Sequence, residues 1–258
     1  MLYHFLTPLS DYFSLFNLFE YITFRAVTAA IIALIISFII GPWIIHILQK
    51  KQIGEEIHQR GPESHMKKRG TPTMGGVIIL TAVLLPTLLL AKLNNPLVQI
   101  IIFATLWMGL IGFIDDYLKV VKKLSLGLIA RYKLVGQIFL GCIVSYWIFQ
   151  IPDYIDISTK TTVPFFKNVE LDLGFLYPIM VILVITGTSN AVNLTDGLDG
   201  LLAGLLAISF SVFSAITYIT GRFDFSDYLN ILYIPNAGEL TIFTSAMAGA
   251  CIGYLWFN

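Results

Sequence analysis

A chain of 258 residues that is 57% hydrophobic and only 12% charged, with a mean hydropathy of +0.80, has too little polar surface to form a water-soluble globule. Its 16 basic and 16 acidic residues cancel, so it has no net field to attract nucleic acid. The composition points to a bilayer, where backbone polar groups must be satisfied internally and helices are the default spanning element.

Residues 1–21 mix Phe, Leu and Tyr with Pro8, Asp11 and Glu20, the pattern of a short segment lying at the membrane interface. They lack the basic stretch and cleavage site of a removable signal peptide. Seven apolar blocks follow, at 24–48, 74–93, 96–114, 134–151, 174–192, 200–220 and 240–257. Their lengths are close to the roughly 20 residues that cross the hydrocarbon core as a helix. The expected fold is an all-α, multi-pass transmembrane bundle forming one domain. Cys142 and Cys251 lie inside such blocks without metal-ligand spacing and read as small packing residues.

Loops 49–73 and 115–133 hold 11 of the 16 Lys and Arg residues. Cytoplasmic loops collect these residues, so both loops are expected inside and the N-terminus on the periplasmic face. The connection 152–173, with Thr161-Thr162-Val163 before Pro164, predicts a small β-hairpin on that outer face.

Three constellations carry chemistry, and this topology places all of them at the cytoplasmic face. Asp115 and Asp116 end the third block with Lys119 on the same helical face, an arrangement suited to holding a divalent cation and a phosphate together. Asn193, Asp196 and Asp199 recur every three residues between the fifth and sixth blocks and predict one helical stripe, with Gly197 and Gly200 allowing close approach. The segment from Gly61 to Gly76 places Lys67, Lys68, Arg69, Thr71 and Thr73 before a helix N-terminus, a phosphate-binding surface. Lys133 begins the fourth block at the same face, where it reaches either phosphate or the lipid headgroups. Carboxylates gathered at one interface argue against an ion-coupled transporter, whose acidic groups sit near the midplane on broken helices.

These residues resemble the phospho-N-acetylmuramoyl-pentapeptide-transferase family of the polyprenyl-phosphate N-acetylhexosamine-1-phosphate transferase superfamily (glycosyltransferase 4), along the whole chain. The superfamily's Asp-Asp-x-x-Lys matches Asp115, Asp116 and Lys119, and its Asn-x-x-Asp-Gly-x-Asp matches Asn193, Asp196, Gly197 and Asp199. The stretch from Pro62 to Gly76 resembles the muramoyl-pentapeptide branch specifically. The resemblance implies transfer of a phospho-sugar from UDP-N-acetylmuramoyl-pentapeptide to undecaprenyl phosphate with Mg2+, giving lipid I and UMP, at the bacterial inner membrane and in a homodimer. It assigns Asp115, Asp116 and Asp199 to catalysis, and Asp115 and Asp116 to the metal. Lys68, Thr73, Lys119, Lys133, Asn193, Asp196 and Asn258 are assigned to the substrates. Family members continue past Trp256-Phe257-Asn258 with further helices, a His-rich loop and a Met-Gly-Asp segment that supplies a metal-ligating Asp. The resemblance thus implies that this polypeptide is inactive by itself or is a truncated form of an active enzyme. The alternatives are a transferase using UDP-N-acetylglucosamine and a non-catalytic membrane fragment.

Overall fold

Each of the seven apolar blocks forms one helix. The computed structural model describes residues 1–9, 13–50, 75–122, 127–163, 166, 169–196 and 200–257. A short helix α1 (Leu2–Leu6) and two 3-10 turns (Thr7–Leu9 and Ser14–Glu20) precede α2 (Ile22–Lys50). Then come α3 (Gly76–Leu90), α4 (Pro96–Val120), α5 (Ala130–Phe149), α6 (Tyr177–Thr195), α7 (Leu201–Thr220), the short α8 (Phe223–Leu229) and α9 (Leu240–Leu255). Five of these regions, from α2, α4, α5, α6 and α7, are long and apolar enough to cross a membrane. α3 and α9 are apolar but run only 15 and 16 residues.

The elements start and stop for local reasons. Asn95 accepts a hydrogen bond from the Leu97 N–H at 2.8 Å, and Pro96 supplies a preset first helical residue, so α4 begins there. The expected hairpin is present: β1 (Lys160–Thr162) pairs antiparallel with β2 (Glu170–Asp172), Thr161 opposite Leu171. Thr159 donates to Asp172 Oδ1 at 2.6 Å and closes the base of the hairpin.

Lipid offers no hydrophobic gain for helix association, so close contact between small residues must do that work. α9 packs on α2 in this way. Gly249 lies directly on the Ala30 backbone and Gly253 on Ser37, with Ala26, Ala29, Ala33, Ala246 and Ala250 filling the seam. α3 closes this core with Ala82, Val83 and Leu90, while α7 joins α9 through Ser214 and Ser245 at 2.7 Å. α5 forms a second group with α4 and α6: Trp107 Nε1 donates to Gly136 O at 2.9 Å, and Gly141 lets α5 settle against Ile182. Cys251 is buried as expected, but Cys142 is exposed on the outer side of α5 and packs no core.

One end of the bundle is stapled by charge. Arg25, fully buried, makes two 2.7 Å bonds to the Glu239 carboxylate and a third, of 3.1 Å, to Leu90 O. The Lys92 N–H donates to Glu239 at 3.1 Å, and the Tyr3 ring lies 4.5 Å from the guanidinium carbon. α2, α3 and α9 are thereby tied at this end.

Candidate active site

The opposite end of the bundle gathers the predicted chemistry. α4 runs on to Val120, so Asp115, Asp116 and Lys119 occupy its last two turns. Asp115 is buried, and Lys119, one turn further on the same face, places Nζ 2.9 Å from its Oδ2. Lys133, in the first turn of α5, reaches the same oxygen at 2.8 Å. The Leu128 N–H donates to Oδ1 at 2.8 Å. Both oxygens of Asp115 are therefore engaged, and the carboxylate joins α4, the returning loop and α5.

The return of that loop depends on glycine. Gly127 adopts φ +58°, and a Cβ there would lie 2.5 Å from Asp115 Oδ1 and 2.7 Å from the Lys119 Cε. An L side chain is both strained and blocked at this position.

Asp116 is half-buried and makes no ion pair or hydrogen bond among the described residues. It interacts electrostatically with Lys119, Lys133, Asp115 and Asp196. Asp196 is exposed and interacts in turn with Tyr254, whose hydroxyl lies against Gly75 at the start of α3. Gly200, at φ +73°, starts α7 beside Leu255. The ends of α3, α4, α5, α6, α7 and α9 thus converge, as the sequence reading requires.

One reading changes. The helix carrying Asn193 stops at Thr195, and Asp196 leaves helical geometry at φ −76°, ψ 58°, so Asn193 and Asp196 do not share one helical stripe. Asp196 instead caps the end of α6, donating its N–H to Val192 O at 3.2 Å. Asp115, expected as a metal ligand, pairs in this structure with the Lys119 and Lys133 ammonium groups, which leaves that expectation as it was. Among the described residues, Asp116 and Asp196 are carboxylates at this end without a hydrogen bond or ion pair, oxygen donors of the kind a hard divalent cation takes. Among the described residues no three His, Cys, Asp or Glu side chains cluster as a metal site. Lys68, Thr73, Asp199 and Asn258 lie outside the described residues.

Sequence reading missed a polar bridge behind this end. Gln137 on α5, 3% exposed, donates to Ser189 Oγ at 3.0 Å and accepts from Asn190 Nδ2 at 3.1 Å on α6. The available signal was three amide and hydroxyl side chains inside otherwise apolar blocks.

The family model for glycosyl transferase family 4 matches residues 98–258, and phospho-N-acetylmuramoyl-pentapeptide-transferase signature 1 matches residues 68–80. The chain is 48% identical over 258 residues to the phospho-N-acetylmuramoyl-pentapeptide-transferase of Citrifermentans bemidjiense and 46% identical to that of Desulfotalea psychrophila. In both cases all of this chain aligns with 71% of the relative. The enzyme of the same name from Chloroherpeton thalassium is 50% identical over 239 residues, 93% of this chain and 65% of that one.

Proposed function

Because this chain belongs to glycosyl transferase family 4, and within it to the phospho-N-acetylmuramoyl-pentapeptide-transferases, we propose that the convergent helix ends carry phospho-sugar transfer from UDP-N-acetylmuramoyl-pentapeptide to undecaprenyl phosphate. The products are lipid I and UMP. The observation that carries this reading is the pairing of a lysine-clamped Asp115 with the uncommitted carboxylates Asp116 and Asp196 at one end of the bundle.

In this reaction an oxygen of the lipid phosphate attacks the β-phosphorus of the nucleotide sugar, and the bond to the UMP oxygen breaks. A phosphate monoester with a second pKa near 6 is mostly dianionic at neutral pH, so no residue has to remove its proton. The work left to the protein is to bring two anionic groups together and to hold them in line. Asp115 fixes the Lys119 and Lys133 ammonium groups side by side, where they offset phosphate charge. Asp116 and Asp196 are the residues that would hold Mg2+, which would supply positive charge to offset the anionic phosphates. Asn193, in the last turn of α6, orients the nucleotide side. The concentration of Lys and Arg in loops 49–73 and 115–133 supports a cytoplasmic position for this face in the bacterial inner membrane.

The test is UMP release from UDP-N-acetylmuramoyl-pentapeptide in nanodiscs containing undecaprenyl phosphate and Mg2+. It is run on this chain and on the chain continued to the length of its relatives. Release by the continued chain, lost in Asp116→Asn and in Asp196→Asn, is expected. Equal release from UDP-N-acetylglucosamine, or full activity in both variants, would overturn the reading.

A further inference from the structure

We propose that Gln137 is a positioning residue of this site. Its carboxamide locks α5 to α6 so that Lys133 stands level with Asn193; the inference rests on the transferase reading only for its kinetic consequence. Burying an amide between two membrane helices is costly unless donor and acceptor are both satisfied, and here both are. The Gln137 amide gives its N–H to Ser189 Oγ at 3.0 Å and receives the Asn190 N–H at 3.1 Å, while Asn190 also donates to Thr186 O at 2.8 Å.

The register gives the bridge its meaning. α5 and α6 run antiparallel, with Gly141 against Ile182 and, nearer the site, Gln137 against Ser189 and Asn190. One further turn in the same direction, four residues back on α5 and three or four forward on α6, reaches Lys133 and Asn193. Lys133 is itself tied to Asp115 on α4 at 2.8 Å. Of the polar side-chain bonds described between α5 and α6, the Gln137 bridge alone joins the two helices, whereas α4 and α5 share both the Lys133 ion pair and the Trp107 bond to Gly136 O. Loss of the bridge frees α6, with Asn193 and Asp196, to slide or tilt against the lysine clamp.

Two measurements test this. Spin labels at Tyr132→Cys and Leu194→Cys, both strongly exposed positions, report the distance between the site ends of α5 and α6 in a chain with Cys142 and Cys251 replaced by Ala. A single narrow distance is expected with Gln137 present, and a broadened or displaced one in Gln137→Met. In the UMP-release assay with the chain continued to its relatives' length, Gln137→Met should lower kcat by about 10- to 100-fold, as misplacement of about 1 Å can, with the nucleotide KM within about twofold. Should Gln137→Met fail to fold, Asn190→Leu, at an exposed position, removes half of the bridge and should move the spin-label distance in the same way. An unchanged distance in a folded variant overturns the proposal, as does an unchanged kcat alongside a changed distance. If no form releases UMP from the donor, the transferase reading fails, while the spin-label distance still decides whether Gln137 sets the register.

Discussion

Arg25–Glu239 and Asp115–Lys119–Lys133 are both buried carboxylates held by cations, at opposite ends of one bundle, and their surroundings differ in a way that separates a staple from a site. Glu239 is 4% exposed and faces a fully buried guanidinium in bidentate geometry, with backbone groups of Leu90 and Lys92 adding to the shell and Arg25 Nε left without a partner among the described residues. Little is left for another molecule. Asp115 is nearly as buried at 8%, yet its lysines are 44% and 24% exposed, so each ammonium keeps donors free on the open side. One cluster is closed on itself, whereas the other presents charge outward beside two uncommitted carboxylates.

The largest expected effect breaks the closed end. Glu239→Gln leaves the Arg25 charge buried without its partner, which should cost about 3–5 kcal/mol in unfolding followed by denaturant titration in detergent micelles. Replacing both, as Arg25→Met with Glu239→Leu, should recover most of that loss, because an apolar pair needs no solvation. At the open end, Asp115→Asn should leave unfolding nearly unchanged, since Lys119 and Lys133 can turn to water. Turnover should fall by about 100-fold as the clamp disperses, read by UMP release from the chain continued to its relatives' length. Gly127→Ala should act through the same clamp more weakly, costing about 1–2 kcal/mol for the left-handed backbone and displacing the Leu128 N–H from Asp115. Turnover should fall while the far end stays intact.

The smallest effect lies in the hairpin, away from both clusters. The Thr159 hydroxyl and the Gly174 N–H hold the Asp172 carboxyl below the usual carboxylate range. A depressed folded pKa gives stability that is present above the unfolded value of about 3.9 and is lost as pH falls through the folded one. Hairpin amide protection, followed by hydrogen exchange, should therefore be flat from neutral pH down to about 4 and decline only below it. In Thr159→Ala the folded value moves back toward the unfolded one, so the decline should start at the same pH but be smaller and end at higher pH.

Much of this architecture was legible because spanning helices announce themselves as apolar blocks, and all seven blocks became helices. Asp115 with Lys119 was legible because i and i+4 share a helical face within one element. What escaped was long-range. Arg25 and Glu239 are 214 residues apart in sequence, and each sits at the edge of an apolar block, where a charge usually marks only a helix end. Gln137, Ser189 and Asn190 read as scattered polar residues until two helices bring them together. The stripe drawn through Asn193 and Asp196 failed because it assumed the helix continues, whereas α6 ends at Thr195 and hands Asp196 to a turn.

The most direct measurement is a paired one on Asp115→Asn and Glu239→Gln, scoring unfolding midpoint and UMP release on the same preparations of the chain continued to its relatives' length. Asp115→Asn should keep the midpoint and lose turnover, and Glu239→Gln should lose the midpoint while its surviving folded fraction still turns over. If instead Asp115→Asn unfolds as readily as Glu239→Gln, or turns over normally, the lysine-held carboxylate is a second staple and the site lies elsewhere.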